Sequence, residues 1–211
     1  MNKKGVLIVI SGFSGVGKGT VVKKLVEKYD YSLSVSATTR QPRPGEVDGK
    51  DYHFKTVEEF ENLIDYNGFI EWAQYVENYY GTPRKYVEDE LAKGKNVILE
   101  IEVQGAMNIK EQYPDAVLIF LTAPDGNTLK TRLESRGTED TKVIAKRLKR
   151  AFEETEDMSH YDYLVVNDDL DICVEHVHAV ILAESFKTAK NIDYISNMKE
   201  ELSKIRKEIT L

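Results

Sequence analysis

Val6-Leu7-Ile8-Val9-Ile10 is an unbroken aliphatic run bounded by Gly5 and by Ser11-Gly12. Such a run predicts a strand buried on both faces, hence a central strand of a parallel sheet. From Thr20 to Tyr29 a helix is expected, with Val21, Val22, Leu25 and Val26 on one side. Val97–Ile101 and Ala116–Leu121 repeat the buried-strand pattern, and each is followed by a helical stretch, Gln104–Gln112 and Thr128–Arg136. Tyr163–Val166 reads as a further strand. Strands alternating with helices in this way predict an α/β fold built on a parallel sheet.

Two regions depart from that rhythm. Between Tyr31 and about Arg84 lie Pro42, Pro44 and Pro83, many aromatic residues, and short alternating segments such as Phe69–Tyr75. This predicts an inserted, mainly β subdomain. At the C-terminus, Ile192, Ile195, Met198, Leu202, Ile205 and Ile209 recur at three- and four-residue steps. They predict an amphipathic helix that packs back on its own core, the repeat being short for a coiled coil; a dimer seam is the alternative.

Composition narrows the class. The 211 residues are 41% hydrophobic and 31% charged, which excludes a disordered chain and a membrane protein. Neither a signal peptide nor a run long enough to span a bilayer is expected, so a cytoplasmic location is. Cys173 is the single cysteine, which removes an internal disulfide and a cysteine-based metal site. The net charge of −7 argues against nucleic-acid and membrane partners. The charge is uneven, however: Lys130–Arg150 carries eight basic and three acidic residues, whereas Ala151–Asp171 carries eight acidic residues and no Lys or Arg. Asp168, Asp169 and Asp171 are expected to cap and solvate a helix start, and Lys149 and Arg150 to be surface charge.

Candidate chemistry begins directly after the first strand. Gly12-Phe13-Ser14-Gly15-Val16-Gly17-Lys18-Gly19-Thr20 is a Gly-x-x-x-x-Gly-Lys loop between a strand and a helix. Its glycines let backbone N–H groups surround phosphates, and Lys18 can reach the β- and γ-phosphates. Gly19 stands where a hydroxyl would usually meet Mg²⁺, so the metal is expected to be held mostly through phosphate and water, with Thr20 close by.

A second anion site is expected in Ser34–Phe54, where Arg40 and Arg43 stand on a proline-stiffened loop suited to bidentate phosphate recognition. Glu71 lies in the apolar run Phe69-Ile70-Glu71-Trp72-Ala73, and Tyr79-Tyr80-Gly81-Thr82 follows. A carboxylate can accept both adjacent donors of guanine, N1–H and N2–H₂, whereas adenine would leave it unpaired.

Taken in order, Gly12–Thr20, Ser34–Phe54, Phe69–Thr82, Ile98–Ala106, Arg132–Gly137 and Tyr161–Asp169 resemble the guanylate kinase family. The resemblance runs from Leu7 to about Leu182. It implies an ATP:GMP phosphotransferase that uses Mg²⁺, accepts GMP and with it dGMP, and works as a monomer or homodimer. It also implies one domain, 1–211, with a P-loop core (1–33, 85–125 and 160–211), a GMP-binding insertion (34–84) and a lid (126–159). ATP would lie on Gly12, Ser14, Gly15, Val16, Gly17, Lys18, Gly19 and Thr20, with Arg132 and Arg136 of the lid, and with Asn167 beside the adenine. Arg40, Arg43, Tyr52 and Tyr80 would hold the GMP phosphate, Ser36, Glu71 and Thr82 would face guanine, and Gly81 would let the chain pass close to the nucleotide. Lys18, Arg43, Arg136 and Arg147 would act on the transferring phosphoryl group, with Arg132 assisting as the lid closes. Where the family often carries Asp-Ile-Asp, this chain has Glu100-Ile101-Glu102. Glu100 is then expected at the guanine edge or ribose of GMP, and Glu102 among the waters around Mg²⁺. A protein-binding module of the same fold is the rival, but such modules typically lack an intact phosphate loop.

Overall fold

A computed structural model describes residues 5–75, 77–135 and 141–209. In chain order the elements are β1 (Leu7–Gly12), α1 (Lys18–Lys28), β2 (Ser32–Leu33), β3 (Ala37–Thr38), β4 (His53–Phe54), α2 (Val57–Asp65), β5 (Phe69–Tyr75) and β6 (Asn78–Pro83). They continue with α3 (Arg84–Ala92), β7 (Val97–Glu100), α4 (Val103–Gln112), β8 (Val117–Thr122), α5 (Gly126–Glu134), α6 (Thr141–Glu154), β9 (Tyr163–Val166), α7 (Leu170–Ser185) and α8 (Ile192–Ile209).

One sheet has the order β2-β7-β1-β8-β9 with every pairing parallel. β1 is its middle strand and all six of its residues are buried. Successive side chains go to opposite faces: Ile8 and Ile10 pack with Val21, Val22 and Leu25 of α1 and Val174 and Val177 of α7. Leu7 and Val9 pack with Val87 and Leu91 of α3 and Ile109 of α4. Helices on both faces explain why these strands carry no polar alternation. The expected α/β architecture with a parallel central sheet is what the chain adopts.

The second sheet, β4-β3-β6-β5, is drawn from residues 37–83 and has its own small core of Ala37, Phe60 and Phe69. β5 and β6 form an antiparallel pair with a bulge between Phe69 and Glu71. Thr56 and Glu59 form a reciprocal capping box at the start of α2. Asp169 caps α7 by accepting from the Ile172 N–H at 3.0 Å, as expected of that acidic run.

The C-terminal helix corrects the sequence expectation. α8 forms over the predicted stretch, but none of its residues is buried, so it does not pack back on the core. The turn Thr188–Asn191 separates it from α7.

Candidate active site

β1 delivers the chain to Gly12 and α1 takes it up at Lys18, two residues before the expected start. Gly17 makes the early start possible: its φ of 97° and ψ of 22° lie in the left-handed region that disfavours side chains. No side chain caps α1 at Gly17, so the first-turn N–H groups and the helix dipole are left for an anion. Lys18 folds back over the loop, its Nζ donating to the Gly12 carbonyl at 2.7 Å and lying 3.9 Å from Glu102 Oε1. Val16 is buried, while Thr20 is exposed on the first turn of α1. Gly19 faces Glu100, whose Oε1 would lie 3.5 Å from a Cβ there.

Three side chains brace this loop from other elements. Asn167 is buried just past β9 and donates from Nδ2 to the Val16 carbonyl at 2.8 Å. Expected beside the adenine, it holds the loop backbone through its amide nitrogen. Arg132 donates to the carbonyls of Asn167 and Asp168 at 2.7 and 3.3 Å, fixing the segment that carries Asn167. Arg147 reaches across from α6 and donates to Ser14 Oγ at 3.2 Å. Arg136 lies outside the described residues.

In the second sheet, register assembles the acidic pocket. Glu71 pairs with Thr82 across β5 and β6, and Thr82 Oγ1 donates to Glu71 Oε1 at 2.8 Å. Thr82 is fully buried, so it stands behind Glu71 and not on the cavity wall where the sequence reading put it. Burial pushes the Glu71 carboxyl up to about 7, against the lowering effect of its Thr82 hydrogen bonds. Its second oxygen lies against α4, where a Cβ on Gly105 would stand 2.7 Å from Oε2. Gly81 lines the cavity through its backbone, but a Cβ there would meet Phe60, Phe69 and Trp72 at 3.0 Å. Its smallness therefore serves the subdomain's own core, a reason different from the expected close passage of the nucleotide.

The basic loop is held by its acidic neighbours. One terminal nitrogen of Arg40 lies 2.9 Å from both oxygens of Glu46, which also accepts the Arg43 N–H at 2.7 Å. The Arg40 guanidinium covers the rings of Tyr52 and Phe54 at 5.4 and 5.8 Å. Tyr52 meets Tyr80 edge-on at 6.1 Å, and burial raises its phenol above the usual range. Arg43 itself is exposed and joins this group through Glu46.

A cavity of about 270 Å³ connects the two halves. Its lining includes Lys18 from the loop, Ser36, Tyr52, Glu71, Tyr80 and Gly81 from the insertion, and Glu100 and Glu102 from the core. Burial raises the Glu100 carboxyl, Lys18 opposes that shift, and Glu102 adds to it. Arg150, read as surface charge, also lines this cavity. Its guanidinium lies 3.7 Å from Glu102 and donates to the buried Glu154 at 2.8 Å. The available signal was its spacing: Arg150 is three residues after Arg147, on the same helix face. Toward the loop, Thr20, Glu100 and Glu102 offer only oxygen. Among the described residues no cluster of His, Cys, Asp or Glu could hold a metal ion by itself. Such a donor set fits a hard divalent cation carried mainly by phosphate and water.

Comparison with known proteins extends the geometry. Residues 4–184 match the family profile described as guanylate kinase. The chain is 49% identical over 202 residues to a guanylate kinase of Caldanaerobacter subterraneus subsp. tengcongensis, covering 95% of this chain and 98% of that protein. It is 54% identical over 200 residues to a guanylate kinase of Streptococcus thermophilus, covering 94% and 96%. The fold is similar to the crystal structure of guanylate kinase from Anaplasma phagocytophilum, with a TM-score of 0.75, 36% identity and 90% of each chain covered.

Proposed function

The chain belongs to the guanylate kinase family and transfers the γ-phosphoryl group of ATP to GMP, and we propose how its residues divide that work. The observation that carries the reading is the shared cavity: Lys18 of the phosphate loop and Glu71 of the insertion line one space. ATP lies with its phosphates on Gly12–Thr20, against Lys18 and the uncapped start of α1. GMP, or dGMP, lies on the insertion with guanine N1–H and N2–H₂ donated to Glu71. Thr82 positions that carboxylate, and Ser36 and Glu100 complete the wall. Arg40 and Arg43 exchange Glu46 for the GMP phosphate, beside Tyr52 and Tyr80. The chain works in three parts, a core, a GMP-binding insertion over 34–84 and a lid over 126–159.

An oxygen of the ionised GMP phosphate attacks the γ-phosphorus in line as the bond to the β–γ bridging oxygen breaks, leaving ADP and GDP. The nucleophile is already an anion, so no general base is required; position and charge neutralisation suffice. Lys18, Arg43 and Arg147 act on the developing charge, the family pattern gives Arg136 the same role, and Asn167 and Arg132 keep the loop in shape. Guanylate kinases use ATP with a divalent metal, and the oxygen-only donor set supports Mg²⁺, with Glu102 ordering its waters. When bound, the metal neutralises phosphate charge. A cytoplasmic location, in purine nucleotide recycling, is supported by the substrates and the single buried thiol, Cys173. The net charge of −7 supports nucleotides, not nucleic acid or membrane, as partners.

Lys18→Ala and Arg43→Ala test the division of labour. Each is expected to lower kcat in an ADP-release assay by about a hundredfold or more. Near wild-type kcat in both variants would overturn it.

A further inference from the structure

Glu71 stands on the second sheet, but part of its surroundings belongs to the core. Thr82 of β6 holds its Oε1, whereas Oε2 lies against α4, where a Cβ on Gly105 would stand 2.7 Å away. Ile70, the residue before it on β5, is buried in one cluster with Ala106 and Ile109 of α4. The seating of β5 on α4 therefore decides where the Glu71 carboxylate stands in the cavity, since close-packed contacts transmit a shift of either element.

Arg84 bridges the same two elements. It opens α3, directly after β6, and only 21% of its side chain is exposed. Its guanidinium makes five hydrogen bonds, one for each N–H donor of the group. Three go to the entry of β5: Nε donates to the Asn67 carbonyl at 3.0 Å, and one terminal nitrogen donates to Asn67 Oδ1 at 3.1 Å and to the Phe69 carbonyl at 2.8 Å. The other terminal nitrogen turns to the core, donating to the Tyr113 hydroxyl at 2.9 Å and to Glu88 Oε1 at 3.5 Å. Tyr113 closes α4, the helix that carries Gly105, and its hydroxyl donates in turn to Glu88 at 3.3 Å. The chain before β5 is shaped for this. Asn67 has a φ of 53°, in the left-handed region that asparagine tolerates, and there it offers both its carbonyl and its side-chain oxygen to one guanidinium.

We propose that Arg84 is a positioning residue for guanine selection: by tying the start of β5 to the end of α4, it sets where the Glu71 carboxylate meets the base. The proposal rests on Glu71 as the guanine acceptor. Arg84 is not among the residues that line the cavity, so it acts through β5 and α4 and not on the nucleotide. The tie needs the planar fork of arginine, whose donors point to both sides at once; the ammonium of lysine is a single point on a flexible stem.

Steady-state kinetics with GMP and with inosine monophosphate, which keeps N1–H but lacks the N2 amino group, test this. Arg84→Ala is expected to raise KM for GMP about tenfold or more while kcat and KM for ATP stay within about twofold of wild type. Its preference for GMP over inosine monophosphate is expected to shrink, because a displaced carboxylate no longer meets both donors. Arg84→Lys is expected to behave like Arg84→Ala and not to rescue it. Tyr113→Phe removes only the core end of the tie, so it is expected to shift KM for GMP the same way by a smaller factor. In the Arg84→Ala background it is expected to add nothing, since both changes break one link. If Arg84→Ala does not fold, Arg84→Lys and Tyr113→Phe decide the matter by the same readouts. A KM for GMP that stays at the wild-type value, or a KM for ATP that rises by the same factor, overturns the proposal. A wild-type enzyme with no preference for GMP over inosine monophosphate overturns the reading of Glu71 itself; a wild-type preference that survives intact in the Arg84 variants overturns the role of Arg84 alone.

Discussion

At the scale of single residues, Glu71 carries the largest consequence. Its side chain is 7% exposed and its carboxyl is pushed up to about 7 by burial. Between the usual carboxylate value of 4.5 and about 7, the folded chain holds a proton there that the unfolded chain has lost. Stability of the ligand-free protein from this group is therefore full below 4.5 and is lost as the pH rises through 7. With Glu71 as the proposed guanine acceptor, GMP binding has the opposite sign, since only the ionised group accepts both guanine donors. Glu71→Gln is accordingly expected to raise the melting temperature of the ligand-free protein at pH 8, by a few degrees, while raising KM for GMP about a hundredfold. Its KM should follow only the second ionisation of the nucleotide phosphate, near 6, whereas the wild-type KM should also rise as the pH falls below about 7. Thermal melts and initial rates from pH 6 to about 8.5 check both signs. Gly105→Ala is a second residue-scale case. Its Cβ would stand 2.7 Å from Glu71 Oε2, so it should raise KM for GMP and leave KM for ATP near wild type. Equal effects on both substrates would show that Gly105 does not act through Glu71.

At the scale of elements, the sequence carried some features and hid others for identifiable reasons. β5 and β9 form over the predicted residues because alternation and a β-prone apolar run are local patterns, although only Val165 of β9 is buried. The start of α1 was misplaced because a left-handed glycine, not a capping side chain, begins it. Glu71 was readable because a lone carboxylate inside an apolar run is conspicuous. The role of Thr82 was not, because cross-strand register decides that it faces Glu71. Arg150 and Asn167 depended on contacts that sequence distance conceals. Asn167 meets Val16 across 151 positions. The two arginines of α6 should separate on mutation. Arg147, on Ser14 of the loop, should lower kcat about a hundredfold when changed to Ala, with little effect on stability. Arg150→Ala leaves the buried Glu154 without the guanidinium that meets it, so its main effect should be a lower melting temperature. Steady-state kinetics and melts of both variants distinguish the roles; the reverse pattern would exchange them.

Over the whole molecule, a net charge of −7 conceals a division of sign. Basic groups stand at Lys18, at Arg40 beside Tyr52, and along α6, all on or next to the cavity and loop. Of the acidic residues lining that cavity, Asp51, Glu71, Glu100 and Glu102, the proposed roles give Glu71 and Glu100 to the base and ribose side and Glu102 to a hydrated metal. The parallel sheet presents the loop, the second sheet presents Glu71, and one cavity joins them, which is the geometry a transfer between two nucleotides requires. The most direct test is the specificity of that transfer, measured as ADP released with GMP, dGMP, AMP, CMP or UMP as acceptor. The expected result is a kcat/KM for GMP about 10⁴-fold or more above that for AMP, with CMP and UMP equally poor. Turnover of AMP comparable to that of GMP would contradict the assignment of Glu71 as the guanine acceptor.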